Sequence, residues 1–290
     1  MGKRAELVLD ARAEIGEGAI WYDHILYWVD IPPGKVFAYD PATGANREMA
    51  VGQMVGTVVP REQGGLALAV EEGFALLDLE TGALTLLENP EAGMTVNRMN
   101  DGKCDPAGRF WAGTMNRAEE GPTGALYCMD ADHTIHKRVE NVTISNGIVW
   151  SRDCRTMYYI DSPTCRVDAF DYDLASGKIS NRRTAISIPE ELGWPDGMAI
   201  DENENVWVAM FAGSAVTHWD PRTGKLLGTI EVPASQVTSC AFGGPDLDEM
   251  FITSATWKMS EDQLTKEPSA GGLFKCKPGV RGLPAVAYKG

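Results

Sequence analysis

The sequence predicts an all-β fold, a six-bladed β-propeller with about four antiparallel strands per blade. Three observations carry this prediction. A short strand rich in aromatic and β-branched residues returns six times. Four pairs of a polar residue and a glycine recur in phase with it, and no segment keeps a helical period beyond a turn or two. Taking Trp28, Ala69, Trp111, Tyr159, Trp207 and Phe251 as equivalent places gives steps of 41, 42, 48, 48 and 44 residues. Strand repeats of about 40–50 residues are the signature of propeller blades.

The units follow in order. The first has Ile25–Val29, then the alternating strand Val36–Asp40 and the turn Pro41-Ala42-Thr43-Gly44. The second has Gly65–Val70, and the third Arg109–Gly113 after the turn Asp105-Pro106-Ala107-Gly108. The fourth pairs Met157–Asp161 with Val167–Tyr172, which ends at Ala175-Ser176-Gly177. The fifth pairs Asn205–Ala209 with Ala215–Trp219 before Asp220-Pro221-Arg222-Thr223-Gly224. Period-two alternation bounded by Gly, Pro and Asp is the strand-and-hairpin pattern. The sixth unit, around Glu249–Thr253, looks one strand short, and Leu7-Val8-Leu9 is the candidate to complete it and close the ring. Residues 1–290 are therefore read as one propeller domain. Asp201-Glu202-Asn203-Glu204-Asn205 imitates a calcium loop, but Val206 stands where its glycine belongs and Gly213 where its bidentate glutamate belongs. It coincides with turns in other units and reads as a hairpin turn.

Composition narrows the partners. A net charge of -15 argues against nucleic acid, because phosphate binding needs Lys and Arg to replace counterions. No run approaches the ~18 apolar residues of a membrane span. The basic start Met1-Gly2-Lys3-Arg4 lacks the apolar stretch of a secretory signal. The expectation is a cytoplasmic protein, monomeric or weakly homo-oligomeric. Its six scattered cysteines form no CxxC pair and are expected to be reduced thiols.

The polar-glycine pairs are Glu17-Gly18, Asp101-Gly102, Asn146-Gly147 and Asp196-Gly197, separated by 84, 45 and 50 residues. These separations are close to two, one and one repeats. The innermost strand of a blade lines the channel, so residues that start it gather at one end of the axis. Glycine there lets the backbone turn sharply and approach a ligand. Units two and six offer Thr57 and Thr238-Ser239, hydroxyls without charge. A single Asp-Gly or Asn-Gly pair is ordinarily a turn; four in one phase point to a shared axial site. It would take carboxylates from Glu17 and Asp196 and the amide oxygen of Asn146, with Asn100 and Asp101 at the same rim. Oxygen ligands favour Ca²⁺, Mg²⁺ or Mn²⁺, with zinc and ferrous iron open as occupants. So few protein ligands leave positions for water and substrate, as at a catalytic metal. No HExxH, GxSxG or Walker motif is present, so covalent serine or cysteine catalysis has no support.

These residues resemble the senescence marker protein/regucalcin, gluconolactonase and luciferin-regenerating enzyme family over essentially the whole chain. The most specific segments are Gly16-Glu17-Gly18, Arg98-Met99-Asn100-Asp101-Gly102-Lys103, Ile144-Ser145-Asn146-Gly147, Tyr158-Tyr159-Ile160-Asp161-Ser162 and Pro195-Asp196-Gly197. The resemblance implies one divalent metal ion, calcium first, on Glu17, Asn146 and Asp196. It also implies Asp196 as general base and Arg98, Asn100, Asp101 and Glu120 as substrate contacts. The activity implied is metal-dependent hydrolysis of a sugar-acid lactone, a small-molecule substrate. The alternatives are a calcium-binding regulatory protein and a promiscuous organophosphate or aryl-ester hydrolase on the same site. Trp194, just before Pro195-Asp196, departs from the family pattern and would either wall the pocket or pack beneath the loop.

Overall fold

Strands of alternating polarity separated by Asp-, Gly- and Pro-rich turns form six sheets, five of four strands and one of five. A computed structural model describes residues 3–290, so Met1 and Gly2 of the basic N-terminus lie outside the described residues. The sheets are the blades of a six-bladed propeller. Their innermost strands are Gly16–Tyr22, Val55–Pro60, Asn97–Cys104, Ser145–Trp150, Trp194–Ile200 and Val237–Gly243. Each pairs antiparallel with the next strand of its own blade. The six repeat markers all lie on those second strands and are at most 3% exposed. They fill the gaps between blades, as where Trp21 stacks on Phe251 at 5.5 Å across the closure of the ring.

Closure follows from the sixth unit being short of a strand. Glu6–Leu9 pairs antiparallel with Leu273–Cys276 and supplies the outer strand of blade 6. Lys3–Arg4 adds a parallel fifth strand to blade 5. The calcium-loop imitation is a hairpin turn: Asp201 Oδ1 accepts from the Asn203 and Asn205 amides, and Oδ2 from Trp207 Nε1 at 3.0 Å. Among the described residues the six cysteines are free thiols, and no helix is long and apolar enough to cross a membrane.

The C-terminal segment crosses the far end of the channel. The Gly282, Leu283, Tyr288 and Lys289 amides donate to carbonyls of Leu247, Ile200, Pro60 and Gly108, which tie together turns of four blades. Tyr288 is fully buried there, and its hydroxyl donates to Asp130 O at 2.7 Å. The near end of the channel is left open.

Candidate active site

In every blade the innermost strand slips by one residue against its neighbour where the polar residue stands. The slip falls at Asn100-Asp101, Asn146-Gly147, Asp196-Gly197 and Thr238-Ser239 in blades 3 to 6. It falls just after Glu17 in blade 1 and at Gly56 in blade 2. A bulge frees two consecutive residues from the ladder and re-aims their side chains. By this register Asn100 matches Asn146 and Asp196, while Asp101 takes the place of their glycines. Those glycines answer to packing rather than to a ligand, which corrects the expectation. A Cβ at Gly147 would lie 2.7 Å from Asp196 O, and one at Gly197 would lie 2.6 Å from Ser239 Cβ. Each glycine is where the next blade's innermost strand presses against it.

The result is a cavity of about 610 Å³ whose lining includes Glu17, Arg98, Asn100, Asn146 and Asp196. A hydrogen-bond chain sets the amides. Arg98 Nη1 donates to Asn100 Oδ1 at 2.7 Å, and Asn100 Nδ2 donates to Asn146 Oδ1 at 3.0 Å. Asn146 Nδ2 donates to Ser162 Oγ at 2.7 Å, which donates to Pro195 O at 2.6 Å. The amide oxygen of Asn146 thus has a fixed orientation, and blades 3, 4 and 5 are linked. Thr238 and Ser239 are committed to the backbone of blade 1, at Gly16 O and the Ala19 amide. Thr57 donates to Gly102 O at 3.1 Å. These hydroxyls tie neighbouring blades together.

Electrostatics single out the two carboxylates. Burial, then the nearby charges of Asp196 and Asp101, push Glu17 well above the ordinary carboxylate range. Asp196 is pushed up by burial and by Asp101, so both buried acids favour the protonated form. Glu17 Oε1 is buried with no donor from the protein. Two desolvated carboxylates cannot both ionise without a compensating cation. The donor set of two carboxylates and one oriented amide oxygen therefore fits a hard divalent ion. Among the described residues no three His, Cys, Asp or Glu side chains are grouped to hold a metal; the amide is what makes the third oxygen here. Arg98 is lowered to about 10 by burial and then by Arg117, and so stays charged at neutral pH.

Glu17, Arg98, Asn100, Asn146 and Asp196 come together; two other expected residues do not join them on this cavity. Asp101 is buried inside the channel with Lys103, whose Nζ donates to Met198 O at 2.8 Å. Glu120 is exposed and off the lining, whereas its neighbour Glu119 lies on it. Glu119 has φ of +61°, so adjacent side chains leave this loop in different directions. Trp194 walls the pocket and is 48% exposed. Sequence reasoning missed Arg117 and the apolar wall of Ile15, Met54, Met115, Ile144, Pro163, Phe211 and Trp257. Most of these residues sit at two kinds of place, just before an innermost strand or at and just after the end of a second strand. Antiparallel pairing brings both to the same end of the blade, and that was the available signal.

Comparison with known proteins bears out the family resemblance. The model of the SMP-30/Gluconolactonase/LRE-like region matches residues 15–256. The chain is similar to regucalcin of Xenopus laevis, 41% identical over 295 residues and covering 99% of each chain. It is also similar to the solved structure of a luciferin-regenerating enzyme, with a TM-score of 0.92 and 35% identity over 99% of this chain and 100% of that one. A third likeness is to a calcium-binding protein, regucalcin of Agrobacterium tumefaciens str. C58. There the TM-score is 0.94 and the identity 26%, over 100% of this chain and 98% of that one.

Proposed function

The chain belongs to the SMP-30/gluconolactonase/LRE-like family, and from that premise we propose that it is a divalent-cation-dependent lactone hydrolase acting at the open end of the propeller channel. The observation that carries the reading is the buried Glu17–Asp196 carboxylate pair beside the oriented amide of Asn146, at the foot of a cavity that also holds Arg98. Glu17, Asn146 and Asp196 would hold the cation, which when bound polarises a carbonyl as a Lewis acid and makes water more acidic.

The chain's own residues do the rest. Asp196 takes the proton of the water whose oxygen attacks the lactone carbonyl carbon. The bond from that carbon to the ring oxygen then breaks, the ring oxygen recovers a proton, and the open-chain hydroxy acid leaves. Among the described residues Arg98 makes hydrogen bonds only through Nη1, so Nε and Nη2 remain for the substrate. Donors already fixed where charge develops act without reorganisation during the reaction. Asn100 holds Arg98 and Asn146 in register rather than meeting the reacting bond.

The test is chelation followed by reloading with calcium, magnesium, manganese, zinc or ferrous iron, with gluconolactone hydrolysis followed by acid release. The stripped protein should be inactive, one or more cations should restore it, and Asp196→Asn should stay inactive when loaded. Full activity in the stripped protein or in Asp196→Asn would overturn the reading.

A further inference from the structure

The cavity lining is largely apolar. Its cationic group, Arg98, comes with Asn100 from blade 3, whereas beside Asp196 on blade 5 the wall is formed by Trp194 and Phe211. Trp194 and Phe211 are paired across the first two strands of their blade, which fixes both positions. Trp194 is 48% exposed, stands two residues from Asp196 and lines the same cavity as Phe211; an apolar surface on a pocket wall marks a ligand site. A sugar lactone would need a partner for each hydroxyl it buries. The polar groups at the rim are largely taken. Arg117 is bound to Glu71 at 2.6 Å and to Asn97 O at 3.0 Å. Glu119 reaches Lys258 at 3.4 Å, across the ring from blade 3 to the loop after the second strand of blade 6. A volume of about 610 Å³ is in the range that holds drug-sized molecules, more than one small ring needs.

Resting on the lactonase reading, we infer that the substrate is a lactone carrying an apolar alkyl or aryl substituent, with the ring carbonyl toward Arg98 and Asp196 and the substituent on Trp194 and Phe211. Trp194 is then the specificity-determining residue. Each CH₂ that is buried improves binding by about fourfold. A pentyl chain only partly covered by the indole and Phe211 should gain at least ~10-fold over the bare ring.

The experiment compares kcat/KM of the cation-loaded protein on three six-membered lactones: gluconolactone, the unsubstituted ring and a pentyl-substituted ring. The pentyl lactone should lead both others by about tenfold or more. In Trp194→Ala the ratio of pentyl-substituted to unsubstituted lactone should fall to about threefold or less. A lead for gluconolactone, or an equal loss on both other lactones in Trp194→Ala, would overturn the inference. A pentyl-substituted lactam, which is not hydrolysed under these conditions, is titrated by calorimetry into wild type and Trp194→Ala. Tighter binding than the unsubstituted lactam, lost in the variant, supports the apolar subsite even if no lactone turns over. Equal binding of the two lactams refutes the subsite even if gluconolactone is hydrolysed.

Discussion

Burial and neighbouring acids raise both Glu17 and Asp196, so the empty pair is expected to hold one shared proton, which a cation entering the cage would displace. One proton released per ion makes the apparent affinity rise about tenfold per pH unit, or ~1.4 kcal/mol, until the shared proton is gone. At a concentration 100 times the dissociation constant the ion stabilises the fold by about 2.7 kcal/mol; one pH unit lower, by roughly half that. For a chain of this size about 2 °C per kcal/mol converts these into Tm shifts of ~5 and ~3 °C. The cation-free protein moves the other way. A carboxylate pair raised in the native state contributes stability that is full below the ordinary carboxylate range. That contribution is lost as pH rises through the raised native value. The melting temperatures of loaded and stripped protein should therefore diverge with rising pH. Glu17→Gln removes one ionisable partner and one ligand, so it should flatten the stripped protein's pH dependence and abolish the cation shift. The assay is thermal denaturation from pH 5.5 to 8 with and without cation, with calorimetry in two buffers of different ionisation enthalpy to count the protons. An equal cation shift at every pH, no released proton, or a full shift in Glu17→Gln would refute the shared-proton cage.

Three further outcomes follow from single contacts. Arg98→Met should lower kcat for lactone hydrolysis by about 10²-fold or more, the loss typical of one oxyanion donor; a change confined to KM would show that Arg98 only binds. Gly197→Ala places a Cβ 2.6 Å from Ser239 Cβ and 2.9 Å from Thr238 O, so it should destabilise by about 1–3 kcal/mol in a denaturant titration. An unchanged midpoint would mean that the innermost strands are looser than their spacing implies. Tyr288→Ala removes a fully buried ring and its bond to Asp130 O and should cost ~3–5 kcal/mol, far more than an ordinary residue two positions from Gly290. A loss below about 1 kcal/mol would show that the C-terminal crossing does not hold the blades.

The ring was legible because its markers are apolar and periodic, and the same burial demand returns at each blade. The closing strand was legible because blade 6 lacked a partner that Leu7–Leu9 could supply. Lys3–Arg4 left no trace, since an exposed pair joined by backbone bonds has no hydrophobic pattern. Nor did the C-terminal segment, an irregular run whose contacts all reach distant turns. At the site, residue types that carry charge or an amide in repeat phase were visible. The third copy reads as displaced by one, with Asn100 rather than Asp101 toward the ion, and the bulge there agrees with it. Glu119 against Glu120 turns on one positive φ, which leaves no compositional mark.

The arrangement of the innermost strands explains why one ion would matter to the whole ring. Hydrogen-bond ladders run within blades; between blades, at the axis, a few side-chain contacts do the joining. Thr57 reaches Gly102 O, Asn100 reaches Ser145 O, Ser162 reaches Pro195 O, and Thr238 reaches Gly16 O. The joint between blades 5 and 6 is the close approach of Gly197 to Ser239. Glu17 is the place where this girdle is unbalanced, because its free oxygen finds no protein donor and its neighbour is another acid. A cation on Glu17, Asn146 and Asp196 would turn that repulsion into a bond spanning blades 1, 4 and 5. Its stabilisation would then be global, raising protection against hydrogen exchange in all six innermost strands together. Protection confined to the loops around the cavity would mean that the ion is a guest of the site and not a part of the ring.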